Sequence, residues 1–162
     1  MKVLGFDPGV SKSGWAIICS ENGLVDYGFQ SFKSSKDGFN DKINEEMKSA
    51  IPFFEDKISG VDAVSWEIVP SFGRMNQRER VLSIASVVKV VTFQKEKKWF
   101  GRTPTTVKKL VCGNGRAEKA EVRAAVESIY PQLLELKKKM KPDVYDAIAI
   151  GHVALIRDEW EV

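Results

Sequence analysis

The stretch Lys2-Val3-Leu4-Gly5-Phe6-Asp7-Pro8-Gly9 decides the fold. Its apolar run, residues 3–6, is bounded by turn residues and is therefore typical of a buried central strand. Pro8 fixes its own φ and has no N–H, so the chain leaves the sheet there, while Gly9 can take whatever φ the turn requires. These features predict that Asp7 is a carboxylate held at the end of a core strand. Asp7 could instead only accept turn hydrogen bonds, and the choice depends on the partners that the rest of the chain supplies.

The next residues predict two more strands beside the first. Residues 14–19 form an apolar run, and the Asn22-Gly23 pair that follows is a strong hairpin signal. The returning strand covers residues 24–32, in which alternate apolar residues are expected on one face: Val25, Tyr27 and Phe29. We therefore expect three antiparallel strands at the N-terminus, with Asp7 at the end of the first.

Beyond the hairpin, helices alternate with short strands. Apolar residues at helical spacing predict an amphipathic helix over 41–59, which Pro52 should kink or split in two. Residues 63–66 are a short strand that ends at a second carboxylate, Glu67, and a strand after a helix favours parallel pairing with the first strand. The remaining predicted elements are a helix over 76–91, a strand at 99–100, and helices over 105–111, 118–130 and 144–157.

Two more carboxylates, Asp143 and Asp146, lie on one face of the last helix. Capping of the helix N-terminus explains Asp143. Asp146 precedes an apolar stretch, so it needs a cation, a proton or a hydrogen-bond partner. If the first and fourth strands are neighbours, Asp7 and Glu67 lie side by side, and the last helix could bring Asp143 and Asp146 to the same point. Four carboxylates without a nearby His or Cys suit Mg²⁺ or Mn²⁺, and two such ions about 4 Å apart are the usual arrangement for displacement at phosphorus.

Composition limits the class of protein. The 162 residues are enough for one domain, and the net charge of +3 is compatible with a polyanionic partner. Basic residues concentrate in two segments, 89–119 and 137–141, for which a solvated surface is the alternative explanation. Cys19 and Cys112 have no metal-type spacing, so a zinc site is not expected. Without a membrane-length apolar run or a signal-peptide pattern, we expect a soluble, cytoplasmic protein, in a bacterial or phage-infected cell.

The chain resembles the RuvC-like Holliday-junction resolvases of the ribonuclease H-like superfamily. The matching segments follow the family's order: Gly5-Phe6-Asp7-Pro8-Gly9, Glu67, Val107-Lys108, residues 113–122 and residues 143–150. The resemblance implies one ribonuclease H-like α/β domain over residues 1–162, with a central mixed five-stranded sheet, its first three strands antiparallel, and helices on both faces. It also implies a Mg²⁺-dependent endonuclease that cuts four-way junctions by paired symmetric nicks and leaves 5′-phosphate ends. Such an enzyme acts as a homodimer, and we expect the helix over 76–91 in its interface.

The resemblance also assigns roles to individual residues. It makes Asp7, Glu67, Asp143 and Asp146 the catalytic carboxylates, which bind two Mg²⁺ ions, or Mn²⁺ as a substitute. Lys119 is expected to be catalytic as well, and the expected DNA-binding residues are Lys108, Lys119, Arg116, Phe72 and Arg74. The family places an aromatic residue soon after its Glu, but the register is shifted here, so Phe72 is only a candidate. In this respect the chain resembles a phage-type member of the family more than a bacterial housekeeping enzyme.

Three alternatives remain at this point. A nuclease of the same fold could act on flaps or replication forks, with the same chemistry. A non-catalytic junction-binding module would keep the basic surface but would need no carboxylate cluster. An actin/Hsp70-like ATPase needs two such domains and a second glycine-rich phosphate loop, which the chain lacks, so no nucleotide cofactor is expected. We interpret His152, in the last helix, as a structural residue.

Overall fold

The computed structural model describes residues 1–69, 75–136 and 140–156, and its five strands form one sheet. The strands are β1 (Lys2–Asp7), β2 (Ser13–Cys19), β3 (Gly23–Gln30), β4 (Ala63–Glu67) and β5 (Lys98–Arg102), in the spatial order β3-β2-β1-β4-β5. The first three strands pair antiparallel, whereas β4 is parallel to both β1 and β5. The predicted mixed sheet is therefore confirmed, with β1 in its centre.

Helices cover both faces of this sheet, as predicted. They are α1 (Phe39–Ser59), α2 (Met75–Gln94), α3 (Pro104–Cys112), α4 (Lys119–Ile129), α5 (Leu133–Leu136) and α6 (Pro142–Leu155). Side chains of α1 and α2 form one buried apolar cluster with β1 and β4, and those of α3, α4 and α6 form another on the opposite face. In the part of the chain that is described, no helix is long and apolar enough to cross a membrane.

The predicted alternation of β3 is wrong at Val25. Ile17 pairs with Asp26 but Ile18 pairs with Leu24, so Val25 is an extra residue that forms a β-bulge. Its side chain is 49% exposed, whereas Tyr27 and Phe29 pack against the core on the α6 side. An inserted residue shifts the faces of its neighbours, and strict alternation cannot reveal it.

The prediction for the first helix also needs correction. α1 is one helix although Pro52 lies inside it, so the predicted split is wrong. Phe54, two residues later, is fully buried, and its ring lies 4.8 Å from that of Phe6 in an edge-to-face contact. This aromatic packing helps to offset the helical hydrogen bond that proline removes. In α2, Val87 and Val88 are both buried with the core.

α6 lies unusually close to the sheet, because two strand residues that face it have no side chain. A Cβ at Gly5 would overlap the carbonyl oxygen of Ala147, and one at Gly14 would overlap that of Asp143. The hydroxyl of Ser65 in β4 also donates to the carbonyl oxygen of Ile150 across 3.2 Å. The first turn of α6 is thereby held against β1 and β2 near the end of β1.

Candidate active site

Two carboxylates lie at the ends of neighbouring central strands. β1 and β4 are parallel, and Phe6 pairs with Trp66, so the residues that follow them, Asp7 and Glu67, end side by side. The prediction that their strands are neighbours is therefore confirmed. Pro8 follows Asp7 at once and lies outside the strand, as its lack of an N–H requires.

The first turn of α6 adds two more carboxylates at the same place. Asp7, Asp143 and Asp146 each offer an oxygen, and these three oxygens lie within 4.8 Å of one another. The two aspartate side chains of α6 are only 19% and 21% exposed. Glu67 is not part of this group of three, but it lies near enough to raise the pKa of Asp7. The predicted four-carboxylate site is thus a compact triad with Glu67 beside it.

The crowding of these carboxylates raises their pKa values. Burial, and then the charges of Glu67, Asp146 and Asp143, raise the pKa of Asp7 well above its ordinary value. Burial and the charge of Asp146 raise the pKa of Glu67 to about 7, against the opposing effect of Lys108 and Lys119. Burial also raises the pKa of Asp146. A cation placed among these groups would relieve both the desolvation and the mutual repulsion.

Lys119 supplies one such positive charge from the first residue of α4. Its ammonium lies 3.4 Å from Asp146 Oδ2 and 3.7 Å from Asp143 Oδ1. Although partial burial lowers its pKa, the charges of Asp146 and Asp143 leave the pKa of Lys119 above its ordinary value. The start of α4 is fixed by a capping box, in which the side chains of Glu118 and Glu121 each bind the other residue's backbone N–H.

The predicted DNA-binding residues are distributed differently around this site. Lys108 in α3 lies close enough to lower the pKa values of Glu67 and Asp146. Arg116 has an exposed side chain in the turn before α4, where its backbone N–H donates to Asn114 Oδ1 across 3.0 Å. Phe72 and Arg74 lie outside the described residues.

Sequence reasoning missed a polar cluster that joins α4 to α6. Glu127 Oε1 accepts a hydrogen bond from the Tyr145 hydroxyl and another from Arg123 Nε, each 2.9 Å long. Burial raises the pKa of Tyr145 to about 12. The spacing of Arg123 and Glu127 is a recognisable helical ion pair, but nothing local connects either residue to Tyr145.

The donor set fits a hard divalent cation. All of its atoms are carboxylate oxygens, the ligands that Mg²⁺ prefers, and donors around one Mg²⁺ lie no more than about 4.2 Å apart. The three oxygens within 4.8 Å of one another need only a small inward movement to reach that spacing. Among the described residues of this cluster there is no His or Cys, which zinc would favour.

The sheet order β3-β2-β1-β4-β5 is that of a ribonuclease H-like fold. Carboxylates lie at the ends of its two central parallel strands and on the helix packed across them. More specifically, the chain belongs to the RuvC family, because the sequence model of the family "Crossover junction endodeoxyribonuclease RuvC" matches residues 3–154.

Relatives support this assignment over nearly the whole chain. The RuvC of Caldicellulosiruptor saccharolyticus is 30% identical over 161 residues, which cover 93% of this chain and 90% of the relative. The RuvC of Aliarcobacter butzleri is 32% identical over 158 residues, with 93% and 96% covered. A Thermus thermophilus RuvC structure has the same fold, with a TM-score of 0.69 and 23% identity over 93% of this chain and 91% of that one. A second T. thermophilus RuvC structure, in complex with a Holliday junction substrate, has a TM-score of 0.69 and 21% identity over 93% and 90%.

Proposed function

We propose that this protein is a metal-dependent endonuclease that resolves four-way DNA junctions. The observation that carries the proposal is the triad of Asp7, Asp143 and Asp146 at the end of the central strands, with Lys119 against it. Membership of the RuvC family supports it, and so does the likeness to a RuvC bound to a Holliday junction substrate. A non-catalytic junction-binding module would not need these carboxylates, whose burial and mutual repulsion destabilise the folded protein.

The proposed cofactor is Mg²⁺, two ions per site, with Mn²⁺ as a substitute. Asp7, Asp143 and Asp146 would hold the metal, and Glu67 would complete the set from the neighbouring strand. Two divalent ions held by these residues would supply the activation of a water molecule and the stabilisation of the leaving oxygen of a phosphodiester. The proposal therefore assigns the four carboxylates to metal binding, with hydrolysis leaving a 5′-phosphate end.

Cations of the chain would bind and orient the DNA backbone. The ion pairs of Lys119 with the carboxylates support a contact between its ammonium and the scissile phosphate. Lys108 lies near Glu67 and Asp146, and Arg116 is exposed in the turn before α4, so both are candidates for contacts with DNA phosphates. We assign DNA contacts to these three residues, and we keep Phe72 and Arg74 as candidates for contacts at the junction centre.

We propose a homodimer with α2 in its interface, so that two active sites make symmetric nicks. Val90 and Phe93 are each 52% exposed on the outer face of α2. Both side chains lie on the same side of the helix as Ser83 and Ser86, small residues that allow a close approach of a second helix. Phe93→Glu should shift the protein to a monomer in sedimentation experiments, whereas Ile51→Glu, at a 41% exposed position on α1, should leave the dimer intact.

Two further elements of the proposal concern extent and location. We treat residues 1–162 as one nuclease domain, since the family model spans residues 3–154 without interruption. We propose a cytoplasmic location, because the curated relatives are bacterial proteins that act on DNA.

The test is cleavage of a labelled four-way junction, compared with linear duplex, in Mg²⁺ and in EDTA. We expect paired, ligatable nicks on the junction only, and only with metal. Asp7→Asn should abolish cleavage and spare junction binding, whereas the control Asp56→Asn, whose side chain is 78% exposed on α1, should cut normally. Cleavage that survives Asp7→Asn would contradict the metal-site assignment.

A broader branched-DNA nuclease is the second candidate, because the segment after Glu67 departs from the family's register. The same assay with flap and fork substrates separates the two proposals. Comparable rates on junctions, flaps and forks would favour the broader enzyme, and a strong preference for junctions would favour the resolvase.

A further inference from the structure

Two tyrosine hydroxyls join α6 to the α4 segment by hydrogen bonds of equal length. The Tyr145 hydroxyl donates to Glu127 Oε1 across 2.9 Å. The Tyr130 hydroxyl, from the C-cap of α4, pairs with Nδ1 of His152 at the same distance. On α6, Tyr145 and His152 are two turns apart, and only Tyr145 lies between Asp143 and Asp146 in the sequence.

Tyr145 connects the two elements that carry the active-site charges. It lies between Asp143 and Asp146 on α6, and its side chain is 3% exposed. Glu127 belongs to α4, the helix whose first residue is Lys119. The ion pairs from Lys119 to the α6 carboxylates therefore run between the same two helices that the Tyr145–Glu127 hydrogen bond joins.

A cleft of about 350 Å³ lies beside the apolar packing of α4 against α6. Tyr145 and Glu127, the two partners of the hydrogen bond, both line this cleft, and so does Lys119. Arg123 supports the hydrogen bond, because its Nε donates to Glu127 and its guanidinium lies 5.4 Å from the Tyr145 ring. The positive charge of Arg123 allows the Glu127 side chain to be only 14% exposed without an unpaired buried charge.

We propose that Tyr145 and Glu127 are positioning residues, which hold Lys119 at its working distance from Asp143 and Asp146. They act through the spacing of α4 and α6 and do not contact the DNA. The inference rests on the proposed function, because Lys119 matters only if the carboxylates and the lysine act on a phosphodiester. Loss of the Tyr145 hydroxyl should let the start of α4 move and should slow the chemical step.

The experiment compares Tyr145→Phe with the matched control Tyr130→Phe. Each variant loses one hydroxyl and one α4–α6 hydrogen bond of 2.9 Å. Tyr145→Phe should lower kcat for junction cleavage by about tenfold and leave KM unchanged, because a small displacement of a catalytic group slows the chemical step. Tyr130→Phe should keep kcat within about twofold, because its hydrogen bond to His152 lies farther along α6 from Asp143 and Asp146. Glu127→Gln, whose amide oxygen can still accept from Tyr145, should cut faster than Glu127→Ala.

A double-mutant cycle with Lys119→Ala identifies the route of the effect. If Tyr145 acts through Lys119, Tyr145→Phe should have no further effect on kcat in the Lys119→Ala background. Equal losses of kcat in the two Tyr→Phe variants, or a full additional loss in the Lys119→Ala background, would overturn the proposal.

A second readout separates this inference from the proposed function. Mn²⁺ binding, measured by calorimetry without DNA, should tighten a few-fold in Tyr145→Phe, because a displaced Lys119 competes less for the two aspartates. It should not change in Tyr130→Phe, nor between Lys119→Ala and the Lys119→Ala/Tyr145→Phe double variant. A wild-type protein that cuts no junction would refute the proposed function alone, and the Mn²⁺ series would then decide whether Tyr145 positions Lys119.

Discussion

Neutralising Glu67 should stabilise the metal-free protein. The pKa of Glu67 is raised from its ordinary value of 4.5 to about 7 by burial and by the charge of Asp146. A group whose pKa is higher in the folded state binds its proton more tightly there, so its contribution to stability is fully present below pH 4.5 and is lost as the pH rises through 7. At pH 8 the ionised Glu67 therefore destabilises the folded state, and Glu67→Gln removes that cost.

The structure sets an upper value for this effect. A pKa change from 4.5 to about 7 corresponds to about 3 kcal/mol of unfolding free energy. Because Glu67 is partly exposed and salt screens its neighbours, we expect about half of that value in practice. For a chain of 162 residues, this gain raises the Tm by about 3 to 6 °C.

The assay is thermal unfolding in EDTA at pH 4 and pH 8, for wild type, Glu67→Gln and the control Glu55→Gln, which changes an exposed residue of α1. Glu67→Gln should unfold at a higher temperature than wild type at pH 8, and the difference should disappear at pH 4. Added Mg²⁺ should reverse the order at pH 8, because wild type then gains more from the metal. A Glu67→Gln variant that is no more stable than wild type at pH 8 in EDTA would refute the argument.

Three further predictions follow from the packing and charges around the site. Lys119→Ala should lower the single-turnover cleavage rate at least tenfold and also lower the Tm in EDTA, since the ammonium 3.4 Å from Asp146 offsets the repulsion. Gly14→Ala should lower the free energy of unfolding in urea by about 1 to 3 kcal/mol and impair cleavage, because the added Cβ overlaps the Asp143 carbonyl. The control Gly60→Ala should be tolerated, because its Cβ has open space around it. Arg80→Leu should lower the free energy of unfolding by about 3 to 5 kcal/mol, because it leaves the buried carboxylate of Glu46 without its cation. The double variant Arg80→Leu/Glu46→Leu should recover much of that loss in the same measurement.

The parts of the fold that follow from local patterns were predictable. The turn signal after Asp7 and the strand before Glu67 give both carboxylates their places, because parallel neighbouring strands end at the same edge of a sheet. Thr103 begins α3 as an N-cap, accepting from the backbone N–H of Thr106, and Gly113 ends it with a positive φ of 74°. These features depend on a few adjacent residues, so a single sequence contains them.

What could not be predicted depends on contacts between distant segments. The bulge at Val25 is set by pairing with β2, and the continuity of α1 through Pro52 is supported by packing on Phe6. The grouping of the carboxylates as a triad with Glu67 beside it depends on how closely α6 approaches the sheet. The hydrogen bond from Tyr145 to Glu127 joins residues 18 positions apart on different helices, which no periodicity connects.

The distribution of the carboxylates along the chain also affects when the protein can become active during synthesis. Asp7 leaves the ribosome with β1, whereas Asp143 and Asp146 emerge only after β5, α3 and α4 have been made. Until α6 has been made it cannot cover Gly5 and Gly14, so the central strand lacks its packing partner on that face of the sheet. A nascent chain therefore holds Asp7 and Glu67 without their two partners. A nuclease assembled in this order cannot cut DNA until its last carboxylate-bearing helix, α6, has been made.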